Sequence, residues 1–311
     1  MSNRRQIILI SLAIAIVLTT AVCGVTSPTA VPIPEDTPLP TNSPLPTTTP
    51  LPATPTTAGN VDVGGYKLLY ECYGEGLPTV IVEAGGGDKP VVSFTWKAVI
   101  QGVYNTTRIC IYDRAEVRTS ENAARDLHAL LNNIPLSGPY IIVAHSLGGW
   151  HARVYTHLYP QDVAGLILVD TTTIYEDTIK ILATAFPTYS PNEAPAITRN
   201  REDLLMAPSP STFGALDLIT SAEQVRQAGS LGDLPLIVIS QNPGPDDWRG
   251  LDPIVRQQLA ATILKVQTDL ATLSSQGVFM VANTSDHFIS MHDPQIIIDA
   301  IVRMVKEIDN H

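Results

Sequence analysis

From residue 61 onward, apolar residues gather into short unbroken runs, and the stretches between them carry helical spacing. VDVGG and YKLLYECYG predict a short strand and a longer one, and PTVIVEAGGG predicts a β-branched strand ending in glycines. TTRICIYDR, PYIIVAHS, VAGLILVD, DLPLIVIS and QGVFMVAN complete the set. Unbroken apolar runs suit strands covered on both faces, hence a largely parallel sheet. SENAARDLHALLNNI places Ala123, Leu127, Leu130 and Leu131 on one helical face, with an N-terminal cap at Ser120. LGGWHARVYTHLYP predicts a helix ending before Pro160, and DPQIIIDAIVRMVKEI a last helix with Pro294 in its first turn. The alternation predicts an α/β chain with a doubly wound, mostly parallel eight-stranded sheet. No internal repeat is visible. About 60 residues separate ILVD from LPLIVIS; structureless loops of that length are uncommon, so a helical cap is expected after strand six, over about residues 171–230.

The N-terminal region has a different texture. Arg4 and Arg5 precede an uncharged apolar run from Ile7 to Val25, about 19 residues or roughly 28 Å as a helix, enough to cross a bilayer. Basic residues ahead of such a run favour an N-inside orientation and place the rest of the chain outside the cytoplasm. Residues 1–25 are therefore expected to be a signal peptide or membrane anchor. Cys23 raises a lipoprotein signal, although Val22 stands where a small residue usually does. Residues 26–59 are rich in proline and threonine, cannot form a core and predict a disordered linker. Residues 60–311 are long enough for one large domain with a single core. The formal net charge of −11 and the lack of a basic cluster argue against a nucleic-acid partner. The three cysteines lack the spacing of a metal site.

Chemistry concentrates at YIIVAHSLGGW. An apolar strand stops at a histidine, a serine and two glycines and passes directly into a helix. AHSLGG departs from G-x-S-x-G only at Ala144, so Ser146 is expected at a sharp strand-to-helix turn that exposes its hydroxyl. A serine needs an adjacent base. His145 neighbours Ser146, but adjacent side chains diverge at such a turn. His128, His151 and His157 fall within helical patterns and suit packing or the surface. His287, between the last strand and the last helix, opens at the same sheet edge as Ser146 and is the expected base, with His292 in reserve.

Here the chain resembles the α/β-hydrolase fold family. TVIVEAGGGDKP, ICIYDRA, IIVAHSLGGWHARVYTHLYPQDVAGLILVD and SDHFISMHDPQIIIDAI match its segments around strands three, four, five to six and eight, in the family's order Ser…Asp…His. The family carries its triad acid after the sixth or the seventh strand. The first position is Asp170 here; the second offers Asp246 and Asp247. Asp170 is preferred, because it follows an apolar strand directly and an acid must hold the imidazole in one orientation. The resemblance implies an oxyanion hole from the N–H of Leu147 and that of Gly85 or Gly86, with Glu83 where relatives carry histidine. The glycine turn that usually follows DRA is shortened. In this fold the strands of Cys72 and Cys110 are neighbours, which suggests a disulfide in an exported domain.

The implied activity is that of an exported serine hydrolase acting on a small-molecule acyl substrate, by default a carboxylic ester, with no metal or organic cofactor. A serine at the turn argues against the fold's dehalogenases and epoxide hydrolases, which need a carboxylate nucleophile. An amidase or aminopeptidase of the same fold, or a non-catalytic surface binding module, are the alternatives.

Overall fold

The computed structural model describes residues 54–171, 216–243, 253–283 and 286–309. The membrane-length run, the linker up to residue 53, residues 172–215 of the expected cap, and Asp246 and Asp247 lie outside them. The strands are β1 (Thr57–Asp62), β2 (Lys67–Tyr73), β3 (Val80–Glu83), β4 (Ile109–Tyr112), β5 (Tyr140–His145), β6 (Val163–Val169), β7 (Leu236–Ser240) and β8 (Gly277–Val281). They form one sheet in the order β1-β2-β4-β3-β5-β6-β7-β8. The β1–β2 and β2–β4 pairs are antiparallel and the other five are parallel. The helices are α1 (Pro90–Ser93), α2 (Lys97–Val103), α3 (Ser120–Asn132), α4 (Gly148–Leu158), α5 (Leu218–Ala228), α6 (Pro253–Ala271), α7 (Ile289–His292) and α8 (Pro294–Asp309). The fold class is the one the apolar runs predict.

β5 shows why those runs are unbroken. Alternate residues of a strand point to opposite faces. Ile142 and Ala144 join a core with Leu127 and Leu130 of α3 and Ala152 of α4. Ile141 and Val143 join a second core with Val99 of α2 and Ile301 and Met304 of α8. With both faces covered, no position of β5 is left for a polar residue until His145.

Three boundaries differ from expectation. β1 starts at Thr57, inside the stretch assigned to the linker, because Thr57, Ala58 and Gly59 pair with Cys72, Glu71 and Tyr70. It is an edge strand that alternates between half-buried and exposed, so it carries no apolar run. The cap of α3 is Thr119 rather than Ser120: Thr119 has the extended backbone and its hydroxyl accepts from the N–H of Asn122. Ser120 is buried, and its N–H donates to Ser221 Oγ of α5 at 3.1 Å. Finally, α5 falls within the expected cap by position but packs on α3 and α4, with Ala222 and Val225 in the first core. It is therefore a helix of the sheet-covering layer.

Cys72 and Cys110 face each other across β2 and β4 and are joined by a disulfide spanning 38 residues of sequence. Closing such a loop restricts the unfolded chain by roughly 4 kcal/mol of loop entropy.

Candidate active site

β5 ends at His145 and α4 begins at Gly148, so Ser146 and Leu147 must turn the chain within two residues. Ser146 does so at a φ of 53°, a left-handed conformation that is uncommon outside glycine. Such strain persists only where the surroundings over-determine it. The N–H of Ser146 donates to Val169 O at 3.0 Å, extending the β5–β6 ladder by one residue, and Ser146 O accepts from Gly149 N at 3.0 Å. Gly148 closes the turn. A Cβ there would lie 2.3 Å from Glu83 O and 2.6 Å from Ala84 O, so a side chain would keep α4 off the end of β3. Ala144 is fully buried in the first core, which accommodates its methyl.

Asp170 sits one residue past β6 as Ser146 sits one past β5, also at positive φ, 42°. Its N–H donates to Ile239 O at 2.7 Å. Of its two carboxylate oxygens, Oδ1 accepts from Gln241 N at 3.2 Å and Oδ2 faces His287 Nδ1 at 2.6 Å. His287 Nε2 lies 2.8 Å from Ser146 Oγ. An ionised carboxylate only accepts, so Nδ1 carries the ring proton and Nε2 is free to accept from the serine hydroxyl. Three loops from three strands thus bring a carboxylate, an imidazole and a hydroxyl into one line. Asp170 and Ser146 are buried, while the His287 side chain keeps 19 % of its surface exposed.

The other histidines among the described residues lie outside this line. His292 pairs with Asp286, and His128 stacks on Tyr159 at 3.7 Å and bonds Asp162. His151 is buried beside Ser120 Oγ at 3.0 Å, and His157 is exposed. His145 has a role the sequence does not announce: its Nε2 lies 2.7 Å from His287 O, so it must donate there and holds the backbone of His287.

Burial, reinforced by the neighbouring His287, lowers the His145 pKa from 6.5 to about 4. Between those values the unfolded chain binds the extra proton, so the contribution to stability is fully present above pH 6.5 and is lost as pH falls toward 4. The expected loss is about 3 kcal/mol across that window. Urea unfolding at several pH values measures it. A His145→Asn variant should flatten the slope, and an unchanged slope would contradict the assignment.

The oxyanion candidates lie beside the serine. Leu147 caps α4, where the first N–H groups lack intrahelical acceptors. A Cβ on Gly85 would lie 3.3 Å from Ser146 Cβ, so the glycine loop abuts the serine, with Gly86 exposed one residue on. Glu83, in the histidine's place, is buried; it pairs with Arg114 and accepts from Tyr112 OH. Burial pushes its carboxyl pKa up and Arg114 opposes that shift. Sequence reasoning names Glu83 but not Arg114 or Tyr112; the available signal is polar residues ending two apolar strands.

A family model described as the alpha/beta hydrolase fold matches residues 85–233. Among curated proteins, "Probable transporter efuK" of Hormonema carpetanum is 32% identical over 134 residues, 38% of this chain and 19% of that protein. The chain spans about one fifth of the length of the curated relatives it matches. Among solved structures, a thermophilic esterase from Thermogutta terrifontis superposes with a TM-score of 0.52 at 20% identity, covering 81% of this chain and 99% of that one. The haloalkane dehalogenase DatA from Agrobacterium tumefaciens C58 superposes with a TM-score of 0.53 at 16% identity, covering 81% and 97%. At these identities the likeness is one of fold. The matched segment runs from the glycine loop after β3, through the Ser146 turn, to the approach of β7, and with the sheet order it shows that this chain has the α/β-hydrolase fold.

Proposed function

We propose that the chain is a serine hydrolase that cleaves a carboxylic ester through an acyl-enzyme. The observation that carries this reading is the hydrogen-bonded line from Asp170 through His287 to Ser146 Oγ, held at a strained turn. Ser146 Oγ attacks the acyl carbon while its proton passes to His287 Nε2, and Asp170 stabilises the resulting imidazolium. The carbonyl oxygen gathers negative charge and takes hydrogen bonds from the N–H of Leu147 and of Gly85 or Gly86. His287 then protonates the leaving alcohol, and water repeats the sequence to release the acid. The hydroxyl nucleophile suits acyl transfer, in contrast to the carboxylate needed for dehalogenation or epoxide opening.

The reading extends to location. Arg4, Arg5 and the apolar run before a proline–threonine tract support an exported domain held from a membrane by its N-terminal segment, and the Cys72–Cys110 disulfide suits an oxidising compartment. Its partner at the site would be a small-molecule acyl compound.

The test is covalent labelling. The full-length chain is treated with a fluorophosphonate probe and the adduct mapped by mass spectrometry. An adduct on Ser146 is expected, and a panel of matched esters and amides then separates esterase from amidase. A folded chain that takes no label would replace this reading with a non-catalytic binding module.

A further inference from the structure

The Glu83–Arg114 pair lies at the site yet touches none of the groups that move a proton. We propose that Arg114, locked in place by Glu83 and Tyr112, is a positioning residue that aims the N–H groups of the glycine loop at the developing oxyanion; this rests on the serine-hydrolase reading above. Glu83 ends β3 and Arg114 follows the parallel neighbour β4, so both side chains arise at the sheet edge that carries Ser146. Arg114 Nη1 donates to Glu83 and, at 2.7 Å, to Ala84 O; Nη2 donates to Gly85 O at 2.9 Å. A trans peptide holds its carbonyl and its N–H on opposite sides. Pinning the carbonyls of Ala84 and Gly85 to Arg114 therefore turns the N–H groups of Gly85 and Gly86 away from it. Gly85 is the residue that abuts Ser146.

The same dipeptide secures the far end of the loop. Asp113 Oδ1 accepts from Val91 N at 2.9 Å, and the Lys89 ammonium donates to Arg114 O. Only a guanidinium serves the near end, because three acceptors around one head need its planar fork; an ammonium is a point donor without it. A buried ion pair is seldom a net stabiliser over an apolar pair of similar size. What this pair supplies is direction.

The experiment compares the full-length chain with the double variant Glu83→Leu/Arg114→Met and with Arg114→Lys, a separate aliquot of each being labelled by fluorophosphonate to establish Ser146 as nucleophile. An apolar pair leaves no orphaned charge, so the double variant should keep its melting temperature within a few degrees. Its kcat on p-nitrophenyl butyrate should fall by about 10²-fold with KM little changed, the size of a lost oxyanion donor. Affinity for a trifluoromethyl ketone, whose adduct carries the same oxyanion, should fall by a matching factor. Arg114→Lys should lose less on both, and provides the same comparison if the double variant does not fold. A folded variant with kcat within about threefold of the parent, or with undiminished ketone affinity despite lost turnover, overturns the positioning role and leaves the hydrolase reading standing. A parent that does not label at Ser146 overturns both.

Discussion

Replacing Asp170 with Asn is expected to lower ester turnover by about 10⁴-fold while the chain stays folded. Both oxygens of Asp170 are committed, one to the N–H of Gln241 and one to His287 Nδ1. An amide has a single acceptor oxygen. If that oxygen keeps Gln241, the NH₂ faces Nδ1, the ring proton moves to Nε2, and the base presents a donor to Ser146. If it turns to His287, two donors meet at Gln241. Either way the correct tautomer loses support, although asparagine tolerates the positive φ at this position well. Steady-state turnover beside a thermal melt measures the effect. Asp246→Asn and Asp247→Asn should each stay within about threefold of the parent, because the preferred acid is the one whose backbone is tied to β7. Near-normal turnover in Asp170→Asn would return the acid to the seventh strand.

The parts of this molecule that were legible in the sequence are those that depend on local pattern. The strand cores from Val80 to Ser240 are visible because burial on both faces leaves runs of β-branched and aliphatic residues. The position of Ser146 is visible because β5 meets α4 without a loop. Elements set by distant partners are not. The start of β1, from Thr57 to Asn60, is specified by the partners it finds in β2 rather than by its own composition. α6 begins with a proline but spreads its apolar residues around the helix, so no face stands out and no helix is expected there. Ser120 resembles a cap until α5, about 100 residues away, takes up its N–H. Arg114 is separated from Glu83 by 31 residues, and only the parallel pairing of β3 with β4 brings them together. The choice between Asp170 and the later aspartates is of the same kind, since sequence shows which residues can be an acid and not which one His287 reaches.

Ser146→Ala and His287→Ala should each lower turnover by about 10⁶-fold, and the double variant should be no worse than either single one. The reason is that in the proposed mechanism the two side chains perform one step. Without the hydroxyl there is nothing for His287 Nε2 to deprotonate, and without the imidazole the hydroxyl at 2.8 Å keeps its proton. No neighbouring histidine can substitute. His145 is buried, neutral and committed to the His287 carbonyl, and His292 is held by Asp286. The proposed oxyanion donors, the N–H of Leu147 and that of Gly85 or Gly86, are untouched in every variant, so a residual rate of about 10³-fold over water should persist and be shared by all three. Turnover and fluorophosphonate labelling rates across this cycle measure the coupling. Losses that multiply, or a His287→Ala variant that keeps more than about a hundredth of the parent rate, would show Ser146 to be activated by another group and break the line on which the hydrolase reading depends.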